Sequence, residues 1–487
     1  MHAASAARKL GALLLLLPVL GCERRAIEII GGLPDGASPT APCPPSLAER
    51  LSLVSISVDK HIAWQKPGYD RFPVDERVAL AAQPDGQAQI AWIEVNPATV
   101  AGTDVLPPIG VHVTPLDGSL ARRGPDTVLA SALEVSGLVA HDDGFALLTR
   151  DANPGEAIDL GDGATVAFLV RYQNGAQAWR VPLTGTASLD AMQTGTLYSP
   201  FLDGQLVWND ATYGAYFTAR RGLGDAREGY WRDVLVFRDS FGRLALWPAA
   251  HGCENNGGIR LIPDTGKVNL LAPGLSRIPQ ITGLCVQQAR EAVKFTDLEA
   301  DRVVSDLEVH VAGYSGARMG SLLKIPDGYL VFWLSLGEIN DQQGHDIRVA
   351  RLDASFNLIS GPTWFRRTPG REEWNLHVAP YGPASDRFLM IYGEIAITGS
   401  ALSNNAMYTG EFLGTHLALI DANGVALSPD EVVQNAPITA NAEPVVLPGG
   451  DVAWPFVNRA PEYGSVVEGP NGPGQTTLWI ARVRYCQ

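Results

Sequence analysis

Two stretches combine aromatic rings with charge at spacings that could hold a ligand. The first runs Trp364-Phe365-Arg366-Arg367-Thr368-Pro369-Gly370-Arg371-Glu372-Glu373-Trp374. Ring faces flanked by guanidinium and carboxylate groups can stack sugars or clamp acids, and Arg366, Arg367, Arg371 and Trp374 are the candidates there. The same residues could equally form a connection whose tryptophans pack in strands while the charges pair locally. The second stretch places Tyr213 and Tyr216 ahead of Arg220-Arg221, then Arg227-Glu228-Gly229-Tyr230-Trp231. It reads as a long hairpin, with Tyr213, Tyr216, Arg220, Tyr230 and Trp231 as candidate binding residues or, alternatively, as its framework.

No catalytic signature accompanies these stretches. The chain has neither His-Glu-x-x-His nor Gly-x-Ser-x-Gly, and Gly469 to Gly474 lacks the Lys-Ser/Thr of a phosphate cradle. His251, His310, His377 and His416 are scattered and would meet only if the fold gathers them. Carboxylates are plentiful, so an acid pair for glycoside cleavage is compatible with the sequence, but such a pair must converge in space. Gly337 to Asp346 is rich in oxygen ligands without EF-hand spacing, and reads as a polar turn. Neither a cofactor nor a metal is expected.

The elements that must position such residues are strands. From about residue 50, short runs of Val, Leu, Ile and aromatics alternate with Gly, Asp, Asn and Pro turns, the pattern of an all-β protein. One figure recurs, a turn followed by a strand that ends near an aromatic residue. It occurs as Pro84-Asp85-Gly86 before Trp92, Asp203-Gly204 before Trp208, Asp327-Gly328 before Trp333, and Gly449-Gly450 before Trp454. Asp143-Gly144 and Asp386 head weaker copies, and Asp117-Gly118, Asn174-Gly175 and Asn423-Gly424 mark a second turn half a period later. A period of about 60 residues gives a β-propeller of about seven blades, with six or eight also compatible. Two or three β-sandwiches are the competing architecture. Leu51–Val58 and Leu478–Val483 are expected to share one blade and close the ring. Between residues 286 and 312, Ala292–Phe295 and Leu307–Val311 read as strands, against a helix over Gln287–Ala300.

The chain has 487 residues, 46% hydrophobic and 18% charged, enough apolar mass for a large core. Its net charge of −15 repels phosphate backbones, which argues against nucleic acid as a partner. Of five cysteines, Cys43 and Cys486 would join the ends of the folded domain, while Cys253 and Cys285 are nearest neighbours in sequence.

The first residues carry an address. Arg8-Lys9, the Leu-rich run to Leu20 and Val19-Leu20-Gly21-Cys22 resemble a bacterial lipoprotein signal with its lipobox. The resemblance implies a signal over 1–21, acyl chains on Cys22 and a membrane partner reached through them. A Pro/Gly-rich tether then spans 22–45 and a propeller domain 46–487, with Ser46–Glu49 starting a short helix by a capping box. Glu23 is not the Asp associated with inner-membrane retention, which favours the outer membrane of the cell envelope. Signal and repeats together resemble uncharacterised lipid-anchored β-propeller proteins of bacteria, a group with Trp- and Gly-rich blades and a mid-chain cysteine pair, here Trp247, Gly252-Cys253 and Cys285. The anchor, the tether and the repeat, with no catalytic motif, point to a noncatalytic module binding a protein or glycan partner on one propeller face. A polysaccharide-active hydrolase or lyase and an outer-membrane assembly factor are the alternatives.

Overall fold

Alternating apolar and polar residues between turn formers become antiparallel strands here, because each sheet can then bury one side chain in two against a neighbouring sheet. The computed structural model describes residues 43–486 apart from 63–77, 97–107, 153–164, 184–196, 222–230, 252–255, 270–277, 289–292, 298–301, 305–316, 336–343, 385, 398–409, 440–442 and 458–474. The expected signal and most of the tether, with Cys22 and Cys253, lie outside the described residues.

The described chain opens with α1 (Leu47–Arg50), which Ser46 caps by accepting from the Glu49 amide. The helix leads into β1 (Leu51–Ile62). Four-strand meanders follow in order. The first is β2 (Ala79–Ala82), β3 (Ala88–Val95), β4 (Pro108–Leu116) and β5 (Thr127–Leu129). Next come β6 (Ala132–His141), β7 (Gly144–Ala152), β8 (Thr165–Gln173) and β9 (Ala176–Pro182). The third meander is β10 (Leu197–Trp208), β11 (Thr212–Arg221), β12 (Trp231–Asp239) and β13 (Leu244–His251). The fourth comprises β14 (Asn256–Asn269), β15 (Ile278–Gln288), β16 (Val293–Asp297) and β17 (Arg302–Val304). Then come β18 (Ala317–Ile325), β19 (Gly328–Ser335), β20 (Asp346–Asp353) and β21 (Leu358–Arg366). After them stand β22 (Arg371–Pro380), β23 (Arg387–Ile397), β24 (Gly410–Asp421) and β25 (Glu431–Val433). The chain ends on β26 (Val445–Val446), β27 (Val452–Phe456) and β28 (Gln475–Val483).

Five of these units are separate four-stranded sheets, and an eight-stranded sheet joins the first meander to β26, β27, β28 and β1. Within that sheet β1 pairs with β28 from Leu51↔Val483 to Ser57↔Thr477, the partnership expected from the sequence. A single pair, Ile62↔Glu94, links β1 to β3. First strands lie beside one another in sequence: β2 by β6, β6 by β10, β10 by β14, β14 by β18, β18 by β22, β22 by β26, and β26 by β2.

The core fills the spaces between neighbouring four-strand units. Ile56, Trp92 and Ile480, from β1, β3 and β28 of the eight-stranded sheet, meet in one cluster, and Tyr381, Trp454 and Val483 in another. Trp92, Trp333 and Trp454 are fully buried, each worth on the order of 2–3 kcal/mol of apolar burial. The chain ends are held together as well. Cys43 and Cys486 are disulfide-bonded, and the Arg484 amide donates to the Arg50 carbonyl at 3.2 Å.

One sequence expectation needs adjusting. Asp203-Gly204 is not a turn: it lies inside β10, where the pairing register shifts between Phe201 and Gln205. Gly204 is needed there because a Cβ would stand 2.0 Å from the Tyr216 carbonyl oxygen. The stretch 286–312 is strand in its described part, β15 to β17, with no helix among the described residues; Leu307–Val311 lies outside them. By contrast Gly450 sits in a turn as expected, at φ +90°, with the Gly382 amide donating to its carbonyl.

Connections divide by length. In most meanders the first-to-second turn is the tighter one, as between His141 and Gly144 or Ile325 and Gly328, and the second-to-third connection is long, as between Val95 and Pro108 or Ile397 and Gly410; the fourth reverses this, Asn269 to Ile278 being longer than Gln288 to Val293. Sheets of the first kind have a tight-turn end and a long-connection end.

Candidate functional site

The residues singled out from sequence fall into two groups. Tyr213 and Tyr216 are 1% and 0% exposed, and belong to the core rather than to a binding loop. Three apart on β11, they point to opposite faces of the sheet, and both faces are covered: Tyr213 packs with Leu206 and Val236, Tyr216 with Leu235 and Leu261. The hairpin itself is present, with Arg220 opposite Trp231 across β11 and β12, and Tyr230 lies outside the described residues. Arg366, Arg367, Arg371 and Trp374 are brought together, but around carboxylates. Trp374 is 2% exposed, packed on Ile395 and Phe412 with the Arg318 guanidinium 5.0 Å over its ring. It therefore presents no free face for a sugar. Arg367 lies 3.7 Å from Asp346 and beside the Trp364 ring, and Arg371 lies 3.9 Å from Glu394.

Arg366 is the hub of this group. It reaches Glu373 at 3.1 Å, Glu394 at 2.6 Å, and also Asp430. Burial and the neighbouring Asp346 push the Glu373 carboxyl up to about 9, against the pull of Arg366, so it is a neutral acid at pH 7. Burial also raises Asp346. Asp430 behaves oppositely: burial resists its ionisation, but His416, Tyr392 and Arg366 hold it below the usual range. Next to them the buried His345 donates its amide to Glu372 at 2.7 Å and directs Nδ1 at the same carboxylate at 2.5 Å. Glu372, Glu373 and His345 are fully buried, whereas Arg366 and Asp430 keep about a quarter of their side chains exposed, so the group is a charge network that ties strands together at its buried side.

A repeat hidden from linear reading emerges here. Trp92-x-Glu94 on β3, Gly110-x-His112 on β4 and Asp126 before β5 match Tyr392-x-Glu394 on β23, Gly414-x-His416 on β24 and Asp430 before β25. The register is the same, Trp92 opposite His112 and Tyr392 opposite His416. Each imidazole stacks on its aromatic partner, at 4.2 Å and 4.7 Å between centroids. Each also lies between two carboxylates: His112 is 2.7 Å from Glu94 and 3.4 Å from Asp126, and His416 is 2.8 Å from Asp430 and 3.6 Å from Glu394. Burial opposes the charge on His112, but Asp126 and Glu94 outweigh it and raise its pKa. A histidine with acids at both nitrogens has no lone pair to offer a nucleophile, so the motif ties second, third and fourth strands rather than forming a catalytic triad. The sequence signal was available: histidine and aspartate are fourteen residues apart in both copies.

The accessible concavity lies elsewhere. A cavity of about 570 Å³ is walled by β2, β6, β10 and the segment leading into β26. Its apolar lining comes from residues such as Leu80, Leu138 and Leu206, and its polar lining includes His141, Asp142, Asp210 and Glu443. Trp208 closes β10 on this wall. Its ring is held from behind by Tyr213 at 4.3 Å and His141 at 5.2 Å, and the Tyr213 hydroxyl meets His141 Nε2 at 2.8 Å. That contact explains the burial of Tyr213: it braces a part-exposed tryptophan. Burial, helped by Arg171, lowers His141 to about 4, so it is neutral at pH 7. Glu443 faces the cavity with 37% of its side chain exposed, 3.1 Å from Arg260 and 3.7 Å from His377. Burial disfavours its charge, yet Arg260 and His377 prevail and hold it at about 2. Gathering of charge at the cavity by three first-strand regions was invisible in sequence, because Arg260, His377 and Glu443 are far apart along the chain.

No family model and no curated protein matches this chain. Solved structures similar to it include a protein of unknown function from Dyadobacter fermentans, at 12% identity over 89% of this chain and 99% of that one, with a TM-score of 0.43. Hydrazine synthase of Kuenenia stuttgartiensis is another, at 9% identity over 82% of this chain and 96% of that one, with a TM-score of 0.41.

Proposed function

We propose that the chain is a lipid-anchored β-propeller of the bacterial cell envelope, a noncatalytic module that binds a protein or glycan partner. The seven four-strand units are its blades, counting β26 to β28 with β1 as one of them. What supports closure is the succession of first-strand neighbours from β2 round to β26 and back to β2, together with the β1–β28 pairing. Cys22 carries the acyl chains, on the strength of the lipobox residues, and the Pro/Gly-rich stretch behind it spaces the domain from the outer membrane.

The observation that carries the binding role is the cavity with a braced aromatic wall and an apolar-polar lining, the usual make-up of a ligand site. The test is a soluble form beginning after Cys22, incubated with envelope and environmental polysaccharides while retention and released products are both recorded. Retention without products supports the reading. Released sugar that disappears when cavity carboxylates are changed replaces it with a polysaccharide-active enzyme. If neither signal occurs, crosslinking in the native envelope decides whether a protein partner exists. Replacing Cys22 by Ser, with loss of acyl labelling and release from membranes, checks the anchor.

A further inference from the structure

We infer that the cavity selects a small organic ammonium ion, a body with an apolar face and a positive nitrogen, rather than a neutral or anionic ligand. The inference rests on the binding role proposed above and names the ligand chemistry for that site.

The argument is one of charge and shape at the tight-turn end. Asp142 follows β6 and Asp210 follows β10, in neighbouring turns on either side of the His141–Trp208 contact. Both aspartates line the cavity, both are exposed, and neither makes an ion pair with a described residue. Glu443 also lines the cavity and is kept ionised, but it is matched by Arg260, so it adds little net charge. Among the described lining residues there is no lysine or arginine, and the histidine is neutral. Among the described residues the lining therefore has two uncompensated negative charges and the part-exposed ring of Trp208. An aromatic face with flanking carboxylates attracts a cation through the ring quadrupole and Coulomb terms together, and a low-dielectric concavity strengthens both. An anion would be repelled, and a neutral body would gain only the apolar contact. Trp208 cannot swing away to accommodate other shapes, since Tyr213 and His141 fix it from behind.

Two sources share this chemistry: a saccharide unit with a free amine, and a quaternary ammonium headgroup. Calorimetric titration of the soluble protein distinguishes them. Glucosamine oligomers are compared with their N-acetylated counterparts, and choline with its neutral carbon isostere 3,3-dimethylbutan-1-ol. At least one cation is expected to bind about tenfold more tightly than its neutral partner. That preference should weaken as salt is raised and disappear in the double variant Asp142→Asn, Asp210→Asn, whose substitutions are near-isosteric and exposed. Whichever cation binds identifies the source. If the neutral members bind equally well, the ammonium inference falls while the binding role stands. If no member binds but polysaccharides are retained, this inference alone fails; if nothing is retained and no protein crosslinks, the proposed role fails with it. Asp142→Asn and Asp210→Asn without effect on a cation that does bind would also overturn the inference.

Discussion

Replacing Arg366 by Met removes one cation from three carboxylates, and the cost follows from their burial. Glu373 is 0% exposed and Glu394 9%, while Arg366 itself retains 24%. Removing one partner of a buried pair costs about 3–5 kcal/mol because the other charge is stranded. The residual exposure of Arg366 and the neutral state of Glu373 place this case at about 3 kcal/mol. A unit spanning Pro44–Gln487 unfolds with an entropy of about 0.9 kcal/mol per kelvin, so the melting temperature falls by only about 3 °C. Calorimetry resolves that shift. The loss should shrink in acid, as pH falls through the lowered pKa of Asp430 and that carboxylate no longer needs a counter-ion. Arg371→Met is the control: at 3.9 Å and 37% exposed it should cost about 0–1 kcal/mol. A shift under about 1 °C for Arg366→Met, or one indifferent to acid, would show that the acids are not dependent on Arg366.

Other consequences are open to measurement. The Glu373 carboxyl titrates near 4.5 when unfolded and about 9 when folded, so its contribution is whole below that window and is lost as pH climbs through it. Glu373→Gln should flatten the decline in stability between pH 5 and 9, as followed by melting temperature against pH. His112 has the raised value expected of a histidine between two acids, so it stabilises fully below about pH 6.5 and its contribution is lost as pH rises through its folded pKa. NMR titration should find the imidazole of His112 charged above pH 6.5, and His112→Asn should remove that part of the pH dependence. Opening the Cys43–Cys486 link with Cys486→Ser should cost about 2–4 kcal/mol, seen as a lowered melting temperature in oxidising but not in reducing buffer.

The repeat was legible because its punctuation is local. Asp327-Gly328, Gly449-Gly450 and Asn423-Gly424 fall in turns since tight reversal needs their backbone freedom, and Trp333 and Trp454 mark strands that bury them. Leu51–Val58 and the C-terminal strand could be matched by alternation alone. Asp203-Gly204 misled for an instructive reason: glycine also serves where backbones approach closely within a strand. The site was far less readable. Tyr213 and Trp374 precede or follow arginines in sequence and suggest an exposed clamp, whereas both faces of their strands are covered, as the unbroken burial of Glu372–Ala379 shows. The Trp208 wall is assembled from neighbouring sheets, so no short window of sequence holds it together, whereas the histidine ties left a trace in the fourteen-residue spacing of His112 to Asp126 and His416 to Asp430.

The pairing of β1 with β28 has a consequence for how the protein is made. β1 is made long before its partner β28, so it waits unpaired along most of its length until that strand is synthesised. Bringing such distant segments together costs about 5 kcal/mol of loop-closure entropy, which the intervening sheets must offset by forming first. A truncation of only the final ten or so residues would thus do more than shorten an edge. It would leave β1 as an open template for pairing with another chain, which makes the late-synthesised β28 the safeguard against aggregation.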